Sequence, residues 1–125
     1  MRYVLDTTLI LDHVAGDTPA TSLIERLFGE DADLLTCGVV TCEALTGGDP
    51  EARRAIGTLL DALEFVDLDA GSARRAAELR RASGRGTPRS LGDALIAGLA
   101  LSIDATVVTR NRSDFERYGV TVLGY

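Results

Sequence analysis

Residues 90–109, SLGDALIAGLALSIDATVVT, decide the fold. Ser90, Leu91, Gly92 and Asp93 open a helix, with Asp93 where a capping-box acid sits. The apolar residues then continue to Ile103 with so few charges that this helix belongs in the centre of the molecule. Ala105 to Thr109 follows as a strand. A buried helix running straight into a strand is the pattern of a layered α/β protein, and the rest of the chain repeats it.

Upstream, Tyr3, Val4 and Leu5 form a short apolar run that stops at Asp6 and reads as a buried first strand with the acid at its carboxyl end. Helices are expected from Leu9 to Val14 and from Pro19 to Phe28, the latter closed by Gly29. Leu34 to Cys37 is the second strand, and a short helix around Val40 to Leu45 stops at Gly47 and Gly48. Asp49, Pro50 and Glu51 supply a cap, a proline for the first turn and an acid near the helix start, with Ile56, Leu59, Leu60 and Leu63 as the buried stripe. Phe65 to Leu68 is a third strand, Asp69 caps a helix to about Ser83, and residues 84–88 read as a loop. After the fourth strand, Arg110 to Ser113 is a loop and Val120 to Leu123 a last short strand. The expected fold is a three-layer α/β/α sandwich around a mainly parallel sheet, one domain over residues 1–125, without repeat or linker.

Composition narrows the function. The chain is 46% hydrophobic and 26% charged, which excludes a disordered or low-complexity protein. Its longest near-apolar stretch, Ala94 to Ile103, is too short to cross a membrane, and Asp6 interrupts the apolar start, so no membrane association is expected and the cytoplasm is the expected location. Two cysteines and one histidine fall short of a disulfide scaffold or a four-ligand zinc site. All 13 basic residues are arginine. Without lysine there is no P-loop and no Schiff base, and receiver-like or phosphatase-like sites lose their usual amine. The net charge of -6 disfavours general polyanion binding, but residues 72–89 hold six arginines against Glu78, a local +5 that leaves -11 for the remainder. Any nucleic-acid contact must therefore be local.

Four acids fall where ligands collect in a parallel sheet, beyond the strand ends. Asp6 ends the first strand, Glu43 lies on the short helix after the second, Asp93 opens the buried helix, and Asp114 follows the fourth strand. Each has an ordinary explanation alone: Asp6, Asp93 and Asp114 at helix starts, Glu43 in solvent. Together, next to sequence that must be buried, they repel one another and require either protons or a cation. Mg²⁺ or Mn²⁺ suits oxygen ligands and keeps waters for a phosphate substrate, which points to phosphodiester hydrolysis.

The segments Leu5 to Thr8, Val40 to Leu45, Gly92 to Ala97 and Val108 to Phe115 resemble the successive motifs of PIN-domain ribonucleases, and the small single domain is similar to VapC toxins of toxin–antitoxin pairs. The resemblance implies a Mg²⁺- or Mn²⁺-dependent endoribonuclease acting on structured RNA such as transfer or ribosomal RNA. It also implies a homodimer and a small VapB-like antitoxin that blocks the site. Asp6, Glu43 and Asp93 match the family's first three acids. The fourth position of many members is Asn111 here, with Asp114 three residues on. Thr8 and Thr109 match supporting hydroxyl positions. Arg85, Arg89, Arg110 and Arg112 are the arginines expected to meet RNA phosphates. The alternative from another class is a non-catalytic module that keeps the fold to bind protein or RNA, which loss of metal binding would favour.

Overall fold

The computed structural model describes residues 1–84 and 91–125. One sheet contains β1 (Arg2–Leu5), β2 (Asp33–Thr36), β3 (Glu64–Phe65), β4 (Thr106–Val108) and β5 (Val122–Leu123) in the order β3-β2-β1-β4-β5, with every neighbouring pair parallel. The helices among the described residues are α1 (Thr7–Val14), α2 (Thr18–Phe28), α3 (Gly38–Thr46), α4 (Pro50–Asp61), α5 (Ala70–Ala82), α6 (Leu91–Ser102) and α7 (Arg112–Glu116).

β1 is central because it is apolar on both faces. Tyr3, Val4 and Leu5 are all buried, and Val4 stands between Leu35 of β2 and Val107 of β4. The chain winds outward from β1 to β3, then returns to β4 on the other side, so the strand order reverses between β1 and β4. That switch point leaves a crevice beyond the strand carboxyl ends. α1 to α4 pack among themselves, as do α5 to α7, and α3 meets α6 between the two groups.

Helix starts follow from sequence chemistry. The Asp17, Asp49 and Asp69 carboxylates accept the backbone N–H groups of Ala20, Ala52 and Ser72 at 3.0, 2.7 and 2.8 Å, each cap stabilising by about 1 kcal/mol. α6 buries Ala94, Ile96, Ala97, Gly98, Leu99 and Ala100, as its near-absence of charge requires. α5 lies directly on it: a Cβ at Gly98 would sit 2.5 Å from the Ser72 carbonyl oxygen and 2.9 Å from the Ala76 nitrogen, so only glycine permits this approach. Because α6 runs back against the strands into β4, its first turn stands at the carboxyl edge of the sheet, beside the end of β1.

Several boundaries differ from the sequence expectation, most by one or two residues: α1 starts at Thr7 rather than Leu9, and β4 is Thr106–Val108 rather than Ala105 to Thr109. The third strand is Glu64–Phe65 rather than Phe65 to Leu68, because β2 ends at Thr36 and Asp69 is drawn off to cap α5. The last strand shortens to Val122–Leu123. The expected loop at Arg110 to Ser113 instead runs into α7, a single turn that places Phe115 fully in the core. The expected start of α6 at Ser90 and most of the loop at 84–88 lie outside the described residues.

Candidate active site

Asp6 leaves β1 as the residue before α1, in extended conformation, and is 3% exposed. It does not cap α1 through its side chain. Its Oδ2 accepts instead the Thr109 hydroxyl at 2.7 Å and the Thr8 hydroxyl at 3.1 Å, and the two threonine oxygens are 3.3 Å apart. Thr109 is fully buried at the end of β4, so β1, β4 and α1 converge on this one carboxylate. Burial raises the Asp6 pKa above the ordinary value, with the hydroxyls pulling in the other direction.

Glu43 is exposed on α3 and accepts the Thr7 hydroxyl at 2.8 Å. Sequence reasoning missed Thr7, although its position beside the first acid was a signal. Gly92, at the start of α6, faces Glu43 so closely that a Cβ would lie 2.7 Å from Oε2. Asp93 is half-buried in the first turn of α6, and its pKa is pushed up to about 6, first by burial and then by the charges of Asp6, Asp114 and Glu43. Asp114 sits in the first turn of α7 with Oδ1 bound by Arg117 Nη2 at 2.9 Å. Asn111 is exposed at the cap of α7, its backbone N–H donated to Thr109 Oγ1 at 3.0 Å. The structure thus brings Asp6, Glu43, Asp93 and Asp114 into one electrostatic neighbourhood, with Thr8 and Thr109 behind Asp6.

The expected RNA-facing arginines are placed less simply. Arg110 Nη1 lies 3.0 Å from Asp12 Oδ1, and Arg112 Nε lies 2.8 Å from Glu116 Oε1, so both are ion-paired. Both side chains remain more than half exposed. Arg85 and Arg89 lie outside the described residues. Of the other arginines in the basic segment, Arg75 pairs with Glu78 one turn along α5.

All four acids offer hard oxygen donors, and their mutual charge raises Asp93, which is the electrostatic condition for a divalent cation. Among the described residues no three His, Cys, Asp or Glu side chains are grouped closely enough to hold one metal ion.

The chain belongs to the PIN domain family, whose match spans residues 3–120. Within that family it is similar to ribonuclease VapC19 of Mycobacterium tuberculosis, 28% identical over 117 residues, covering 92% of this chain and 93% of the relative. It is also similar to the tRNA(fMet)-specific endonuclease VapC of Shigella flexneri, 29% identical over 125 residues, covering 95% and 93%. Its fold matches a chain of VapBC2 from Rickettsia felis, solved bound to a DNA fragment from their promoter, with a TM-score of 0.82, 21% identity and coverage of 100% and 99%. A chain of VapBC-1 from nontypeable Haemophilus influenzae gives 0.77 at 21% identity, covering 99% and 98%. Among the described residues no helix is long and apolar enough to cross a membrane.

Proposed function

We propose that this protein is a divalent-metal-dependent endoribonuclease, the toxin of a toxin–antitoxin pair, that hydrolyses phosphodiester bonds in structured RNA of the transfer or ribosomal class. The observation that carries the reading is the gathering of Asp6, Glu43, Asp93 and Asp114, acids from four separate elements, at the switch point of the sheet, where burial and then the charges of the other three raise the pKa of Asp93. The names of the VapC relatives support ribonuclease chemistry, and the VapBC assemblies among its structural neighbours support a small VapB-like antitoxin as partner. A cytoplasmic homodimer is the form we propose.

Asp6, Asp93, Glu43 and Asp114 would hold Mg²⁺ or Mn²⁺, which when bound supplies an acidified water and stabilises charge on the phosphate. The chain's own work is positioning. Thr109 and Thr8 fix the Asp6 carboxylate, Thr7 and the missing side chain of Gly92 fix that of Glu43, and Arg117 steers that of Asp114. Asn111, with an uncharged amide at the mouth of α7, is placed to orient water or phosphate rather than to supply charge. Half-burial of Asp93 excludes part of the bulk solvent, which strengthens every charge interaction there.

The test is cleavage of structured RNA with Mg²⁺, with Mn²⁺ and with EDTA, using Asp6→Asn as the control. Cleavage lost in EDTA and in Asp6→Asn is expected. Cleavage that survives both, or none under any condition, would overturn the reading.

A further inference from the structure

Beyond the acids, a polar cluster on the same rim joins Thr8 to Asp12, Arg110 and Tyr125, three residues with no part in the mechanism above. Thr8 and Asp12 are four residues apart on α1 and share a face. Thr8 Oγ1 accepts the Arg110 backbone N–H at 3.3 Å while its hydroxyl lies 3.1 Å from Asp6 Oδ2. One turn along, Asp12 takes the Arg110 side chain, with Nη1 3.0 Å from both carboxylate oxygens. Asp12 Oδ2 also accepts the Tyr125 hydroxyl at 2.6 Å. Arg110 is thus fastened to α1 by backbone and by side chain, and its anchor is itself fastened from a third element.

We propose that Asp12 and Tyr125 are positioning residues that hold the Arg110 guanidinium at the rim of the carboxylate site, aimed at an RNA phosphate next to the one being cut. This deepens, and presupposes, the endoribonuclease function proposed above. The division of exposure fits the role: the Asp12 side chain is 18% exposed and that of Arg110 58%. The anchor is sheltered and the cation reaches solvent. Only Nη1 is engaged by Asp12, so Nη2 and Nε keep three N–H groups in a rigid fork, the geometry that matches phosphate oxygens.

Fold stability is a poor explanation for the arrangement, because an ion pair with so exposed an arginine contributes about 0–1 kcal/mol while ordering that side chain costs up to about 2 kcal/mol. Nor does it resemble the pairs made by Arg112 and Arg117, which join neighbours on one helical turn. Arg110 and Asp12 are 98 residues apart and tie the loop after β4 to α1, the two elements that also hold Asp6. The phenol stays a donor throughout the working range, since burial and Asp12 raise its pKa. Because Asp12 cancels most of the charge of Arg110 at long range, the pair supplies direction at contact rather than attraction from a distance.

The experiment is equilibrium binding of a fluorescein-labelled stem–loop RNA to the full chain in EDTA, where no cleavage competes, with urea unfolding of each variant alongside. Arg110→Ala should weaken binding about tenfold and Asp12→Ala and Tyr125→Phe about threefold each, with Asp12→Asn, which keeps an acceptor for Nη1, in between. In the Arg110→Ala background, Asp12→Ala and Tyr125→Phe should have no further effect on binding, a coupling that a purely structural brace would not produce. Tyr125→Phe removes one hydroxyl only and keeps the test open if Asp12→Ala fails to fold. Effects that persist without Arg110, or unchanged binding by Arg110→Ala, would overturn the inference while leaving the nuclease reading intact. Failure of the unaltered protein to bind RNA would overturn the inference as well, while the cleavage test with Mg²⁺ and EDTA decides the nuclease reading separately.

Discussion

Asp93→Asn should make the metal-free protein more stable at neutral pH while disabling its site. The substitution keeps size and shape and deletes one charge from a set of four. Asp93 has its pKa pushed up to about 6 from an ordinary 3.8. At about 1.4 kcal/mol per unit this corresponds to about 3 kcal/mol. Asp93 is only half-buried, so water screens part of that, and its place in the first turn of α6 gives the ionised form a favourable interaction with the helix N-terminus. A net effect of about 1 kcal/mol is the appropriate expectation. The sign follows from linkage: a folded pKa above the unfolded one adds stability that is complete below about pH 4 and is lost as pH rises through about 6. The wild type therefore loses this contribution between about pH 4 and pH 7.5, and the asparagine variant, which does not titrate, keeps its own stability. Urea unfolding in EDTA at those two pH values should show the difference, variant minus wild type, rising by about 1 kcal/mol toward neutral pH. Excess Mg²⁺ at pH 7.5 should then reverse the order, because only the intact set binds the ion well. A difference that stays flat with pH would refute the claim that Asp93 feels its neighbours' charge.

Thr109→Val removes the 2.7 Å donor to buried Asp6 and the acceptor of the Asn111 N–H, and should cost about 2 kcal/mol at neutral pH and less as falling pH protonates Asp6; urea unfolding across that pH range checks it. Gly98→Ala drives a Cβ to 2.5 Å from the Ser72 carbonyl, so despite the better helix propensity of alanine it should cost about 2 kcal/mol, read as a fall in Tm of several degrees. Asp114→Asn should raise the Mg²⁺ concentration for half-maximal cleavage several-fold, whereas Asn111→Ala should lower the rate at saturating metal; the reverse pattern in a metal titration would move the fourth ligand to Asn111.

The order of elements was legible because each carries its own local signal. An Asp–Pro pair starts α4, a charge-free run becomes α6, and three apolar residues stopped by an acid become β1. What escaped was short and decided by contacts between distant segments. β3 is two exposed residues held only by β2, so its limits depend on where its neighbour ends rather than on its own composition. α7 exists because Phe115 and Tyr118 must reach the core from a segment otherwise rich in polar residues, and periodicity over five residues carries too little information to show it.

The acids of the candidate site were legible for a related reason: a carboxylate at the end of an apolar run is an anomaly visible in one dimension. Of their supports, Thr8 and Thr109 were legible only through the family resemblance and Thr7 not at all, since Thr7 reaches Glu43 across 36 residues and Thr109 reaches Asp6 across 103. The supports also decide what kind of site this is. Hydroxyls, which carry no charge, hold Asp6 and Glu43, and among the described residues Arg117 is the cation that relieves Asp93, acting last and in the smallest measure among the influences upon it. Arg110 and Arg112, expected to meet RNA phosphates, give their charge to Asp12 and Glu116 and not to these acids. A purely structural acidic cluster would be stabilised by pairing its carboxylates with those guanidinium groups. Here the fold holds Asp6 and Glu43 with neutral donors, gives a guanidinium to Asp114 alone, and leaves the repulsion around Asp93 largely uncompensated, a cost in stability that protonation or a cation from outside the chain would offset.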